Sequence, residues 1–216
     1  MIKKVIFDMD GLLFDTERLF MKKQAEISAE YGYVFTRDMY IQMLGLNDKA
    51  ATEKAGSFFK DGYPSEEIRA KVRQYMDRAA KEGEIPVKKG IRELLSYLKS
   101  EGISCAVASS TQTEKVWLYL KNTGLGGYFA CVIGGDRVAR SKPEPDIFLK
   151  AAGDTPPENI LILEDSENGI KAAAAAGMRV ICIPDLSEPC PEVRKLAYRS
   201  AKDASEIIKI VRDENV

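Results

Sequence analysis

The chain has 216 residues, 32 Lys+Arg against 33 Asp+Glu for a net charge of -1, and no histidine. The balance gives no global basic field for nucleic acid and no drive toward an acidic membrane. The missing imidazole excludes Ser-His-Asp, Cys-His and His-metal chemistry together, leaving acid–base work to carboxylates, Lys, Cys or Tyr and any metal site to oxygen donors, which suit a hard ion such as Mg²⁺.

The first apolar run, Lys4–Asp8, is short and rich in strand formers, and it breaks into Asp8-Met9-Asp10-Gly11. Side chains two apart on a strand share a face, so both carboxylates project together if the extended backbone lasts through Asp10. Two close carboxylates repel when ionised, which raises one pKa or recruits a cation. Gly11 permits a sharp backbone departure. The three apolar residues before Asp8 are too few for a signal-peptide core.

From Asp15 to Ile85 the sequence contains no convincing strand. Thr36 is placed to cap a helix running toward Leu44, and Ile68, Val72, Tyr75, Met76 and Ala79 mark an amphipathic helix after Pro64-Ser65. Glycines 32, 45, 62 and 83 punctuate the segment. It reads as an all-α cap, residues 15–85, inserted into a core made of residues 1–14 and 86–216.

Beyond it, Ile91, Leu94, Leu95 and Leu98 follow i, i+3, i+4, i+7 with Gly102 just past the end. Strand-like runs recur at Ile103–Ala108, Ala130–Ile133, Ile160–Leu163 and Val180–Ile183, and an alanine-rich helix after Ile170 stops at Gly177. The runs lack strict alternation, as strands buried on both faces do. The alternation predicts an α/β fold with a doubly wound parallel sheet. Cys105, Cys131 and Cys182 sit in apolar runs and read as buried hydrophobes; with Cys190 they form no CxxC pair, which suits a reducing, cytoplasmic setting.

Ligands of open α/β sheets bind outside the carboxyl ends of the strands. Here those ends carry Asp8 and Asp10, then Ser109-Ser110-Thr111, then Glu164-Asp165, with Lys142 in the loop after the third. Singly, each has a plain reading as a cap, a turn or a solvated side chain. Jointly they place carboxylates, hydroxyls and a cation on one edge, as a Mg²⁺-phosphate site requires.

At these residues the chain resembles the haloacid dehalogenase superfamily, in its phosphatase and phosphomutase branch. Asp8-Met9-Asp10-Gly11-Leu12-Leu13-Phe14-Asp15-Thr16-Glu17 is similar to the first motif, Ser109 to the second, Lys142-Pro143-Glu144-Pro145-Asp146-Ile147-Phe148 to the third, and Glu164-Asp165-Ser166 with Gly169 to the fourth. The resemblance implies that Asp8 is a nucleophile forming an aspartyl-phosphate and that Asp10 is the general acid–base, its backbone carbonyl also binding metal. It implies phosphate binding by Ser109, Ser110 and Lys142, a catalytic role for Lys142 in neutralising charge between phosphate and Asp8 as the transition state forms, and a Mg²⁺ site drawn from Asp8, Asp10 and Asp165, with Glu164 a ligand or a supporting partner. A helical cap closing over the substrate is part of the same implication, and Gly45, Leu46 and Asn47 are the expected specificity contact.

The resulting expectation is a Mg²⁺-dependent phosphatase of a small phosphorylated metabolite, with no nucleic-acid, membrane or obligate protein partner. A sugar phosphomutase is the alternative. Mutase relatives carry a histidine at the cap entrance, where this chain has Phe20. A true dehalogenase would lack the acid–base represented by Asp10. A phosphoaspartate receiver module places its acidic pair first and its acceptor later, the reverse of the order here.

Overall fold

The computed structural model describes residues 1–60 and 62–215. In chain order the elements are β1 (Lys4–Phe7), α1 (Thr16–Glu30), α2 (Arg37–Ile41), α3 (Asp48–Ser57), α4 (Ser65–Glu82), α5 (Ile91–Ser100), β2 (Ser104–Ser109), α6 (Thr113–Asn122) and β3 (Phe129–Gly134). They continue with α7 (Asp146–Ala152), β4 (Ile160–Glu164), α8 (Glu167–Ala175), β5 (Arg179–Cys182), α9 (Pro191–Arg194), β6 (Arg199–Ser200) and α10 (Ser205–Asn215). The chain forms two compact units, Met1–Asp15 with Pro86–Val216, and Thr16–Ile85.

The first unit is built on a six-stranded sheet of order β3-β2-β1-β4-β5-β6, with parallel pairing throughout. β1 is central: Ile6 pairs with Ala106 on one side and Ile162 on the other. That position explains its composition, since Val5, Ile6 and Phe7 are wholly buried and a strand covered on both faces has no solvent side to alternate toward. Ile91, Leu94, Leu95 and Leu98 form the buried stripe of α5. Each such side chain contributes roughly 1.5–3 kcal/mol on burial. The alanines of α8 let that helix join a core with Ile6, Ile162, Phe148 and Val180.

The sequence of steps positions the site. The chain runs from β1 outward to β2 and β3, then crosses to β4 on the far side of β1. Strand order therefore reverses at β1 and β4, and a crevice opens outside their carboxyl ends. β1 itself stops at Phe7, earlier than an extended run through Asp10 requires. The loop folds back instead: Leu13 N–H and Phe14 N–H both donate to Met9 O, at 2.9 and 3.1 Å, and Gly11 takes φ +81°.

The second unit is helical. Thr36 caps α2 by accepting from Met39 N–H at 3.3 Å, and Ile68, Val72, Met76 and Ala79 are the buried face of α4, which ends at left-handed Gly83. Among the described residues no helix is long and apolar enough to cross a membrane. Of the three cysteines expected in the core, Cys105 and Cys182 are buried; Cys131 is half-buried because β3 is an edge strand.

Candidate active site

Asp8 follows β1 directly, and its N–H donates to Leu163 O of β4 at 3.0 Å, so the backbone aims the residue into the crevice. Its Oδ1 accepts from Lys142 Nζ at 2.5 Å. The same ammonium donates to Glu164 Oε1 at 2.6 Å and to Ala108 O at 3.1 Å. Three acceptors thus use the three protons of Lys142. The ring of Phe148 lies 4.8 Å from Nζ. Burial alone would favour neutral lysine, yet the Asp8 and Glu164 carboxylates outweigh it and raise the Lys142 pKa. Lys142 is a fixed positive charge rather than a proton carrier.

Glu164 is wholly buried. Its Oε2 accepts from Asp165 N–H and Ser166 N–H, each at 2.9 Å, and from Ser166 Oγ at 3.0 Å. The donors lie at the start of α8, where unpaired N–H groups and the helix dipole favour an anion. Ser166 completes the cap by accepting from Gly169 N–H at 3.1 Å.

Asp165 lies across the crevice against Gly11: a Cβ on Gly11 would fall 2.2 Å from Asp165 Oδ2. Any other residue at position 11 would meet the carboxylate as well as the positive φ. Burial first, then the carboxylates of Glu164, Asp8 and Asp185, raises the Asp165 pKa. Asp8 is pushed up to about 7, again chiefly by burial, with Lys142 opposing and Glu164 and Asp10 adding to the rise. The crevice therefore holds more negative charge than Lys142 offsets.

Crowded carboxylates are eased either by a raised pKa or by a cation. Asp8, Asp165 and the Asp10 carbonyl are oxygen donors of the kind a hard divalent ion takes. Glu164 offers only the lone pair left on Oε1. Among the described residues no three of these side chains stand grouped tightly enough to hold an ion by themselves. The fit rests on the donor chemistry of Asp8 and Asp165 alone.

On the other side, Ser109 ends β2, buried, with Oγ accepting from Thr111 N–H at 3.1 Å. Accepting leaves its own O–H to donate. Ser110 follows it, exposed. Thr111 Oγ1 donates to Asp10 Oδ2 at 2.9 Å. Sequence reading noted Thr111 at this strand end but gave it no role. Lys88, which the motifs did not single out, pairs with Asp185 at 2.5 Å and with Asp15 at 3.5 Å.

Gly45, Leu46 and Asn47 belong to the helical unit. The Asn47 side chain caps α3, accepting from Ala50 N–H at 2.9 Å. Phe20, also in that unit, has the Arg69 guanidinium 5.2 Å from its ring centre and the Tyr40 ring at 6.1 Å.

Carboxylates, a buried lysine and hydroxyls thus stand together at the switch point of a parallel α/β core. A family model described as haloacid dehalogenase-like hydrolase matches residues 5–183, and the chain belongs to that family. Its relatives place it in the phosphatase and β-phosphoglucomutase-like branch. It is 30% identical over 182 residues to the phosphorylated carbohydrates phosphatase of Thermotoga maritima, covering 83% of this chain and 84% of that one. It is also 30% identical over 187 residues to the β-phosphoglucomutase of Bacillus subtilis, covering 82% and 81%. The crystal structure of CbbY from Rhodobacter sphaeroides in complex with phosphate superposes with a TM-score of 0.74 at 31% identity, covering 96% of each chain.

Proposed function

We propose that the chain is a Mg²⁺-dependent phosphoric monoester hydrolase that takes a small phosphorylated metabolite, a sugar, polyol or nucleoside monophosphate, through an aspartyl-phosphate at Asp8. The observation that carries this reading is the buried Asp8–Lys142–Glu164 cluster beside Asp10, Ser109 and Asp165. A nucleophilic carboxylate, a fixed positive charge, a hydroxyl donor and a surplus of oxygen ligands meet at one crevice.

In this reading a carboxylate oxygen of Asp8 attacks phosphorus and the ester P–O bond breaks. Asp10 gives its proton to the leaving alkoxide. Asp10 then takes a proton from water as that water attacks the aspartyl-phosphate, which splits into orthophosphate and free Asp8. Lys142 and the Ser109 hydroxyl stabilise the oxygens that gather charge. Asp8, Asp165 and the Asp10 carbonyl would hold Mg²⁺, which when bound would neutralise phosphate charge and orient the phosphoryl group. The phosphatase-named relatives support hydrolysis. Phe20 weighs against the mutase alternative, because phenylalanine has no side-chain atom able to pass a proton or hydrogen-bond a bound sugar. Free thiols suit a cytoplasmic protein.

The test is a phosphate-release screen across sugar, polyol and nucleoside monophosphates with Mg²⁺. One orthophosphate is expected per substrate consumed, EDTA should abolish turnover, and Asp8→Asn should lower the rate by several orders of magnitude. Full turnover in EDTA after dialysis sinks the metal assignment, and a loss below ~10-fold in the Asp8 variant sinks the nucleophile. Isomerisation of β-glucose 1-phosphate much faster than hydrolysis of every tested monoester would promote the mutase.

A further inference from the structure

Asp10 lies beyond the end of β1, and Gly11 turns the chain immediately after it. Its bridge to Phe14 orders its backbone. A carboxylate that must meet first an alkoxide and then a water needs a definite rotamer, and the loop after β2 supplies a contact that can set one.

That loop is itself tightly held. Thr111 N–H donates to Ser109 Oγ, and Thr111 O accepts from Gly135 N–H at 3.0 Å. One turn on, Asp136 Oδ1 accepts from Thr113 N–H at 2.7 Å and from Thr113 Oγ1 at 2.8 Å. The end of β3 comes close enough for these bonds because it carries glycines. A Cβ at Gly134 would lie 2.3 Å from Thr113 N, and one at Gly135 would lie 2.4 Å from Ser110 O. Thr111 is anchored at its own N–H and carbonyl, and its hydroxyl reaches Asp10 Oδ2 at 2.9 Å.

We infer that Thr111 is a positioning residue for the acid–base carboxylate of Asp10, and that the β3 end, through Gly135 and Asp136, holds Thr111 in place to do it. The inference rests on the phosphatase reading for the role of Asp10 and on the geometry above for the role of Thr111. Thr111 is not a catalytic residue in this account; it acts through Asp10.

The experiment compares Thr111→Val, which keeps the branched shape and deletes the donor, with Thr111→Ser, which keeps the donor. Thr111 is half-buried, and urea denaturation verifies that both variants fold. The valine variant is expected to lose about 10- to 100-fold in kcat, the range for a hydrogen bond to a charged group, with KM within about threefold of wild type. The serine variant should recover most of the rate. In ¹³C-carboxyl NMR of the whole protein, the Asp10 resonance should move in the valine variant and return in the serine variant. An unchanged kcat in the valine variant, a loss confined to KM, or a serine variant no better than valine overturns the inference. Wild-type enzyme that releases no phosphate from any monoester overturns the phosphatase reading instead. In that case the Asp10 resonance still decides the contact: movement restored by serine upholds it, and a resonance that stays put in the valine variant refutes it.

Discussion

At Gly169 the requirement is space. A Cβ there would fall 1.7 Å from Glu164 Oε1 and 1.8 Å from its Cδ. Glu164 has little freedom to yield, being wholly buried with Oε2 held by three donors and Oε1 by Lys142. Gly169→Ala is therefore expected to displace Glu164 and, with it, Lys142 from Asp8. Phosphate release should fall by at least about 100-fold, and stability by about 1–3 kcal/mol from overpacking and lost buried hydrogen bonds. Steady-state rates beside urea denaturation measure both; an alanine variant with a near-normal rate would show that Glu164 does not hold Lys142 for the chemistry. Reading the sequence marked Gly169 only as part of a motif, because its reason is a carboxylate on the preceding strand. Lys142 was legible at longer range: the sheet edge and the motif put it with Asp8, and it touches Asp8 across 134 residues of chain. Parallel topology tells which residues share a sheet edge, and side-chain reach decides which of them bond. Thr111 was visible as a strand-end hydroxyl, but nothing local says that it turns toward Asp10.

Helix α10 shows how a charge at an element's end shapes the response to acid. Asp203 accepts from Ser205 N–H at 3.0 Å and from Lys89 Nζ at 2.7 Å. The Lys89 ammonium, and next the Ser205 hydroxyl, hold its carboxyl down to about 2. A carboxyl with a depressed folded pKa adds stability that is complete above its unfolded value, near 3.9, and is lost as pH falls toward 2. Lys89 is 82% exposed, so solvent screening keeps the contribution of the pair small. Asp203→Asn should lower stability by a few tenths to 1 kcal/mol at pH 7, and the gap should close between about pH 4 and pH 2. Urea midpoints measured across that range provide the check, and a gap that persists at pH 2 would locate the effect elsewhere. The larger elements were legible for a simple reason. Five largely buried strands leave apolar runs, and their observed limits differ from the runs by at most one residue. β6 escaped notice because its two residues, Arg199 and Ser200, are exposed and polar, and pairing with β5 alone makes them a strand. β1 ended early for a related reason: pairing with β2 and β4 stops at Phe7, after which the Met9 carbonyl draws the chain into a turn.

Across the whole molecule, the chain leaves the sheet-bearing unit after Asp15 and returns at Pro86. Within that unit the two crossing strands of chain are already stitched together. Asp15 N–H donates to Pro86 O and Lys88 N–H to Leu13 O, each at 2.9 Å, and Phe14 bridges Val87 antiparallel. Phe14 is wholly buried, with its ring 5.6 Å from that of Tyr119 in an edge arrangement. The core's own hydrogen bonds and packing thus bring the exit and the return side by side, and a short flexible connection suffices to join them. Replacing residues 16–85 with a linker of about four Gly/Ser residues is accordingly expected to leave a cooperatively folding parallel-sheet unit, because β1 keeps both of its neighbours and every strand of the sheet lies outside the deleted segment. Far-ultraviolet circular dichroism and the sharpness of thermal unfolding are the readouts. A shortened chain with native-like strand signal and a single steep transition bears the argument out. Broad melting with exposed hydrophobic dye-binding surface would mean that the Asp15–Pro86 and Lys88–Leu13 bonds do not close the core without the helical unit.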